Sequence, residues 1–206
     1  NGIYPSFCVN LKIRKNTLIN NYSDQSASPI YCAYNSGLTE VTENKTKNNN
    51  FNYLNGNTTF LCLTNNSQTT NDSVYALNNI IDSNTIGSSS CGVLLTNERS
   101  YILRNSISNS SFQTGTKDYY GIKCSNSSIK VNSNLLVSNG NCGNYFAIHQ
   151  TNPNSTSTEI TQNSIYFNSS DTTNFYGIYV TNDANKIQGN IILGNGTNNG
   201  YFISLI

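Results

Sequence analysis

The chain is poor in several residue types that mark common classes of protein. It has no tryptophan and no methionine, one histidine and three prolines, and only 10% of its 206 residues are charged, with a net charge of +1. Ordinary globular chains carry about 25% charged residues. A basic surface for nucleic acid and an acidic solvating tail are therefore both excluded, and no nucleic-acid partner is expected. The 36% of hydrophobic residues recur at regular intervals, which favours a folded core over disorder.

Long apolar runs and metal-binding motifs are also missing. No run approaches the roughly 18 residues of a membrane span, so no membrane span is predicted. The six cysteines contain no CxxC pair, and with a single histidine the sequence predicts no metal site and no cofactor. The cysteines leave two alternatives open, which are the disulfides of a secreted chain and buried thiols inside an apolar stack.

What the chain has in abundance is repetition. About one residue in five is asparagine, and the stretch from Gly177 to Gly196, GIYVTNDANKIQGNIILGNG, recurs in degraded form along the whole sequence. Apolar residues alternate with period two inside each copy, which is typical of β-strands. One apolar position per copy returns every 25 to 32 residues and defines a first register. Its residues are Ile3, Ile30, Leu61, Val93, Ile122, Ile148, Ile178 and Ile203.

A second register consists of an apolar residue, two polar residues and an asparagine. If each copy is one coil, equivalent residues lie about 4.8 Å apart along the axis. Stacked side-chain amides can then hydrogen-bond to the copies above and below, and they satisfy the backbone of a buried turn. The sequence therefore predicts an internal asparagine ladder. The expected ladder residues are Asn16, Asn44, Asn84, Asn105, Asn134, Asn163 and Asn190.

The outward position four residues before each ladder asparagine supports this register. Charges on neighbouring coils alternate in sign there, and facing strand residues of opposite charge stabilise a sheet. This outward column is expected to contain Lys12, Glu40, Ile80, Tyr101, Lys130, Glu159 and Lys186.

Together the registers predict an all-β fold, a right-handed parallel β-helix (solenoid) of about seven coils that forms a single domain over residues 1–206. The repeat G-I-x-V/C-x-N followed by I-x-x-N-x-I resembles the right-handed parallel β-helix superfamily, the pectin-lyase-like fold, and especially its Asn-rich periplasmic and surface repeats. The resemblance covers essentially the whole chain. It implies a fold more than an activity, because this scaffold hosts lyases, hydrolases, tailspikes, adhesins and structural segments.

The two ends lack the polar caps that a solenoid needs. The chain stops at an apolar strand start, Tyr201 to Ile206, which would expose apolar residues and a free strand edge. We therefore expect either a segment of a longer chain or a protomer that stacks end to end with another copy.

The sequence offers little for catalysis. The enzymes of the resembled superfamily cut acidic polysaccharides, and the N-T-D, D-D, G-H-G and R-I-K strings of its polygalacturonases are absent. Glycoside hydrolysis requires two carboxylates about 5 to 9.5 Å apart. The register places no two of the ten acidic residues in such a pair, so no catalytic residue is predicted.

The outward position of the first strand collects aromatic and cationic side chains. One interpretation is a shallow groove suited to stacking on sugar rings, and the other is that bulky residues merely shield the sheet. With no acid near it in register and no second histidine, His149 is not expected to act in catalysis or to bind a metal. The candidate glycan-contacting residues are Tyr4, Tyr31, Lys123, His149 and Tyr179.

These observations favour a non-catalytic module that is secreted, periplasmic or on the cell surface, with a structural or adhesin-like role and glycans as the partner. One alternative is a carbohydrate-active enzyme of the pectin-lyase-like fold, either a polysaccharide lyase or a glycoside hydrolase. A second is an ice-binding solenoid, because small hydroxyl residues form a column beside the aromatic one. That column contains Ser6, Ala33, Thr64, Thr96, Ser125, Thr151 and Thr181.

Overall fold

A computed structural model describes most of the chain. The described ranges are 2–25, 27–51, 58–64, 73–87, 89–96, 99–108, 111–112 (backbone only), 117–125, 128–138, 142–151, 157–169, 172–181, 186–195 and 199–205. Within these ranges every helix or strand is a β-strand, so the all-β prediction is confirmed. No helix occurs there that could span a membrane.

The strands are short and follow one another around successive coils, and 25 of them lie within the described ranges. Turns of a few residues separate them, and many turn residues are asparagines or other residues with positive φ, such as Asn20, Asn48 and Asn78. In chain order the strands are β1 (Lys12–Arg14), β2 (Thr17–Ile19), β3 (Tyr22–Ser23), β4 (Ile30–Ala33), β5 (Leu38–Thr42), β6 (Lys45–Lys47), β7 (Asn50–Phe51), β8 (Thr58–Thr64), β9 (Ser73–Leu77), β10 (Ile80–Asp82), β11 (Thr85–Ile86), β12 (Ser90–Thr96), β13 (Arg99–Leu103), β14 (Ser106–Ser108), β15 (Ser111–Phe112), β16 (Tyr119–Cys124), β17 (Ser128–Asn132), β18 (Leu135–Ser138), β19 (Asn144–Thr151), β20 (Ser157–Thr161), β21 (Ser164–Asn168), β22 (Asn174–Thr181), β23 (Lys186–Gln188), β24 (Ile191–Asn195) and β25 (Asn199–Leu205).

Every coil contributes strands to parallel sheets that run along the axis. Sheet 1 has the order β4-β8-β12-β16-β19-β22-β25, sheet 2 the order β1-β5-β9-β13-β17-β20-β23, and sheet 3 the order β2-β6-β10-β14-β18-β21-β24. A shorter sheet 4 has the order β3-β7-β11-β15. Each strand therefore pairs with its equivalents one coil before and one coil after, which is the arrangement of a parallel β-solenoid.

The solenoid makes about five turns, slightly fewer than the seven coils expected from the sequence. Each long sheet has seven strands, and the first strand of sheet 1 also forms isolated bridges to Ile3 and Ser6. Right-handed winding follows the rule for parallel crossover connections and stays a prediction.

The first register is confirmed strand by strand. Its residues are direct pairing partners along sheet 1, from the bridge between Ile3 and Ile30 to the pair of Ile178 and Ile203. In the middle of the stack these side chains are fully buried, as at Val93 and Ile122. Equivalent apolar residues of successive coils therefore stack into one continuous core, as the period-two alternation of the sequence predicts.

The asparagine ladder is present. In each step the backbone N–H and the side-chain Nδ2 of one asparagine both donate to Oδ1 of the asparagine on the next coil, at 2.9–3.1 Å. The Nδ2 group also donates to a backbone carbonyl of the previous coil, for example from Asn134 to Ile102 at 2.8 Å. The members of the ladder are Asn16, Asn44, Asn79, Asn105, Asn134, Asn163 and Asn190.

The third coil corrects the sequence prediction, which placed Asn84 in this ladder. Asn79 occupies that place, because Ala76 pairs with Val41 and sets the position of the asparagine three residues later. The wrong choice followed the stronger hydrophobicity of Ile81 over Ala76. Hydrophobicity is no guide at this position, since Ala76 is fully buried between its neighbours on sheet 2.

Asn84 belongs to a second ladder at the next corner of the coil. Its Oδ1 accepts from the backbone N–H and the Nδ2 of Asn49, at 3.0 and 2.9 Å. Asn49 accepts in the same way from Asn21, at 3.0 and 2.8 Å. The asparagines five residues beyond Asn16 and Asn44 therefore stack as well, so asparagine ladders form at two corners of the coil.

The outward charge column on sheet 2 needs the same correction. Tyr75, rather than Ile80, lies between Glu40 and Tyr101, and its ring stacks on that of Tyr101 at 4.5 Å with an interplanar angle of 6°. Charges of opposite sign face each other on both sides of this pair. Lys12 and Arg14 bind Glu40, and Lys130 lies 3.1 Å from Glu159.

All six cysteines are free thiols. Five are buried, and only Cys8 is partly exposed. Burial raises the pKa of Cys32 and of Cys142 to about 12, and that of Cys62 to about 11. The structure therefore favours buried thiols over disulfides.

Apolar side chains are exposed on the two end levels of the stack. On the last level Ile191, Leu193 and Leu205 are each more than half exposed, and on the first level Phe7 and Val9 are as well. Covering of these levels, by more of the same chain or by a second copy, stays a prediction.

Candidate ligand-binding face

The predicted ligand-contacting residues lie on the outer face of sheet 1. Tyr31, Lys123, His149 and Tyr179 occupy equivalent positions of one column, whose paired members run from β4 to β22. The ring of Tyr4 lies 6.2 Å from that of Tyr31 at the first end of the column. The register that placed these residues in one file is therefore correct.

The column is not one continuous surface. Lys123, His149 and Tyr179 are neighbours on three successive strands, and the ring centroids of His149 and Tyr179 are 5.0 Å apart. Tyr4 and Tyr31 are separated from them by the levels of Cys62 and Leu94, which contribute no ring. Three of the five predicted residues thus share one site.

A second aromatic column, which the sequence analysis missed, runs beside the first. Its rings stack almost parallel, with centroid distances of 5.0, 4.6 and 5.0 Å and interplanar angles of 11°, 4° and 7°. The sequence contains the signal, because each ring stands two residues before a residue of the first register. The rings are those of Tyr120, Phe146, Tyr176 and Tyr201.

The two columns interlock through His149 and Tyr179. The imidazole of His149 lies 5.1 Å from the ring of Tyr120 and 4.9 Å from that of Phe146. Tyr179 stands nearly perpendicular to Phe146 and Tyr176, at 83° and 86°. We call the surface formed by Tyr120, Phe146, His149, Tyr176, Tyr179 and Tyr201 the aromatic face.

The orientation of the rings decides what the aromatic face can offer a ligand. Stacked rings cover one another, so Phe146 and Tyr176 present ring edges to the outside. The plane of Tyr179 is turned by almost a right angle, so its ring runs along the axis instead of across it. Aromatic rings in this range of geometries attract one another, which holds the surface in one arrangement.

A bend in the strands of sheet 1 brings the two columns together. Tyr120 and Lys123 both lie on the outer side, while Gly121 and Ile122 between them are both buried, so alternation is interrupted. A Cβ atom on Gly121 would lie 2.6 Å from the carbonyl oxygen of Ala147 on the next coil and from Cδ2 of Leu136. Glycine permits this close approach, and Gly92 and Gly177 hold the same place on their coils.

His149 and Tyr120 of the aromatic face are in their uncharged forms near neutral pH. Burial, with the positive charge of Lys123, lowers the pKa of His149 to about 4. Burial, with the negative charge of Asp118, raises the pKa of Tyr120 to about 12. The ammonium of Lys123 lies 4.3 Å from the centroid of the Tyr120 ring, which is a cation–π contact.

Three carboxylates of the described residues lie away from the aromatic face and are bound by cations, unlike Asp118, which stands two residues before Tyr120. Glu40 binds Arg14, which lowers the pKa of its carboxyl, and Glu43 lies 3.7 Å from Lys15. Asp82 lies 3.0 Å from Lys47 and accepts a hydrogen bond from Ser108. In the part of the chain that the structure covers, no group of three or more His, Cys, Asp or Glu side chains lies close enough together to hold a metal ion.

Comparison of the chain with models of protein families, with curated proteins and with solved structures finds no match. The structure itself shows a parallel β-solenoid with stacked asparagines. Membership of the pectin-lyase-like superfamily stays a prediction. The aromatic face is the feature of the structure that bears on function.

Proposed function

We propose that the protein is a non-catalytic, extracellular or cell-surface β-solenoid module that contacts glycans through its aromatic face. The single observation that carries this proposal is the packing of six aromatic rings, centred on His149 and Tyr179, on the outer side of sheet 1.

The chemistry of the surface suits a carbohydrate. Sugar rings carry apolar C–H faces and polar edges, and aromatic side chains combine an apolar body with a polar tip. The ring of Tyr179 meets its neighbouring rings edge-on or tilted instead of stacked. The hydroxyls of Tyr176 and Tyr201 supply hydrogen-bonding groups.

Two features of the rest of the molecule support the proposed setting and role. A rigid stack of coils held by ladders of neutral amides needs few charges, which suits a stalk or an adhesin-like part. Free thiols are tolerated outside the cell when they are buried, as five of the six are here.

A carbohydrate-active enzyme and an ice-binding solenoid stay as alternatives. For the enzyme, an acid and a base at hydrolase spacing are required, and Glu40, Glu43 and Asp82 are each bound to a cation. For ice binding, the threonine pairs Thr64–Thr96 and Thr151–Thr181 do stack. The column next to them carries rings and a lysine, so the flat surface of small residues that this function requires is interrupted.

The proposal is tested by binding of the purified protein to insoluble and soluble polysaccharides of different backbones, with and without calcium. We expect binding to at least one of them, and a loss of 10-fold or more in affinity for Tyr179→Ala. Tyr101→Ala is the matched control, because Tyr101 is also a half-buried tyrosine in contact with a neighbouring ring but lies on sheet 2.

Three results would contradict the proposal. One is that no polysaccharide binds, and another is that Tyr101→Ala weakens binding as much as Tyr179→Ala. The third is release of reducing or unsaturated sugar ends during the same incubation, which would favour the enzyme. Thermal hysteresis of the unmodified protein in a freezing assay tests the ice-binding alternative directly.

A further inference from the structure

The aromatic column ends in a pocket. Tyr120 pairs in register with Cys91, and Cys91 with Thr59, so side chains smaller than a ring continue the column beyond Tyr120. The space left there is a pocket of about 240 Å³ bordered by Thr59, Cys91, Leu94, Asp118, Tyr120 and Lys123.

One wall of the pocket carries an unpaired cation. Phe146 covers one face of the Tyr120 ring at 5.0 Å, so the Lys123 ammonium, 4.3 Å from the ring centroid, lies over the opposite face, towards Cys91. Among the described residues no carboxylate pairs with Lys123, whereas Lys12, Lys15, Lys47 and Lys130 all have one. The cation–π contact positions the ammonium without neutralising it.

The pocket lining also includes a carboxylate whose position is fixed by a hydrogen bond. Oδ1 of Asp118 accepts this bond from Nδ2 of Asn144 at 2.8 Å. One donor therefore orients Asp118, while a carboxylate has about four acceptor positions. Acceptor capacity remains for a ligand.

We propose that this pocket binds a single uncharged pyranose ring, with sugar hydroxyls donating to Asp118 and accepting from Lys123. This inference rests on the proposed glycan-binding function and names one subsite of it. A sugar hydroxyl is both a donor and an acceptor, so neighbouring hydroxyls can bridge a carboxylate and an ammonium at once. The Tyr120 ring and Leu94 supply the apolar side of the pocket.

Size and charge select the ligand. Sites for drug-sized ligands enclose roughly 300–1,000 Å³, so a pocket of about 240 Å³ takes one ring and not a chain. Asp118 and Lys123 balance each other's charge. The carboxylate of an acidic sugar would face Asp118, which disfavours uronic acids.

The test uses the full chain and small soluble probes. Methyl glycosides of glucose, galactose and mannose, and the methyl glycoside of glucuronic acid, are titrated by NMR or calorimetry. We expect at least one neutral glycoside to bind, with the glucuronide 10-fold or more weaker than its glucose counterpart. Asp118→Asn keeps an acceptor for Asn144 and removes the charge, and Lys123→Met keeps the aliphatic stem; each should weaken binding by 10-fold or more.

Matched controls and the binding assay of the previous section separate the two proposals. Asp82→Asn and Lys130→Met remove the same charges from sheets 3 and 2 and should leave glycoside binding unchanged; thermal melts of all variants confirm that they fold. Polysaccharide binding that depends on Tyr179, with no glycoside bound, overturns the pocket and keeps the aromatic face. Glycoside binding that depends on Asp118, with polysaccharide binding insensitive to Tyr179, supports the pocket and overturns the role of the aromatic face. Preference for the glucuronide, or loss of binding in the control variants, also overturns the pocket.

Discussion

The side chain of each interior asparagine of the long ladder satisfies two backbone groups of the preceding coil and also bonds to the asparagine of the following coil. Oδ1 of Asn134 accepts from the backbone N–H and the Nδ2 of Asn105, at 2.9 and 3.0 Å. Its Nδ2 donates to the carbonyl of Ile102 at 2.8 Å and to Oδ1 of Asn163 at 2.9 Å. Asn134 is 1% exposed, so water cannot replace these bonds. This connection explains why the sequence couples an apolar residue to an asparagine three positions later.

We predict that Asn134→Ala lowers the free energy of unfolding by about 3 kcal/mol, because it leaves a buried N–H and a buried carbonyl without partners at about 1–3 kcal/mol each. Urea denaturation measures the loss. The control Asn132→Ala, two residues away on the outer side, removes a hydrogen bond to Thr161 that solvent can replace, and should cost less than about 1 kcal/mol. Equal losses for the two variants would mean that the ladder contributes nothing specific.

At the scale of the strand, the third coil shows the limit of pattern matching. Both Ala76-x-x-Asn79-x-Ile81 and Ile81-x-x-Asn84-x-Ile86 fit the repeat, and the sequence favours the second because isoleucine is the stronger core residue. The pairing of β5 with β9 decides for the first. With Asn79 in place, the ladder steps are 28, 35, 26, 29, 29 and 27 residues, and the longest step is the one into the third coil.

The bend of the sheet 1 strands is the feature that creates the aromatic face. A strictly alternating strand would send Tyr120 and Lys123 to opposite sides. With Gly121 and Ile122 both buried, the two residues share the outer side, and the pocket and the aromatic columns become neighbours. A glycine precedes Val93, Ile122 and Ile178 in the repeat, but the sequence alone does not show its geometric consequence.

We predict that Gly121→Ala destabilises the protein by about 1–3 kcal/mol, the usual cost of overpacking. The added methyl would lie 2.6 Å from a backbone oxygen, which cannot move without disturbing the next coil. Gly194→Ala is the control, because Gly194 is exposed and the nearest atoms belong to the Phe175 ring at 3.1 and 3.2 Å, which can shift. A melting temperature unchanged by Gly121→Ala, or lowered equally by both, would contradict the close approach.

At the scale of the whole molecule, stacking of the coils buries five of the six thiols. The buried cysteines are distributed from β4 to the turn before β19, so they report on most of the coils. Desolvation raises the pKa of each of the five, including Cys91 and Cys124, and a thiol above its ordinary pKa yields little reactive thiolate at neutral pH.

We predict that the native protein reacts with at most one equivalent of a thiol reagent at pH 8, through Cys8, and with six equivalents in denaturant without reductant. Spectrophotometric titration of thiols measures both numbers of equivalents. The reaction rate of the buried thiols should approach that of Cys8 as urea unfolds the coils. Fewer than six equivalents in denaturant would show disulfides, and rapid reaction of several thiols in the native state would show that the coils are open.

The sequence by itself determined the class of this fold. Period-two alternation, an apolar residue every 25 to 32 residues and the coupled asparagines are local patterns, and stacking follows from them because equivalent residues can satisfy one another only one coil apart. The tertiary structure decided which asparagine of the third coil joins the ladder and which rings meet on the outside. Those choices depend on pairing between strands of different coils and on a bend at Gly121, and neither is written in any single stretch of the chain.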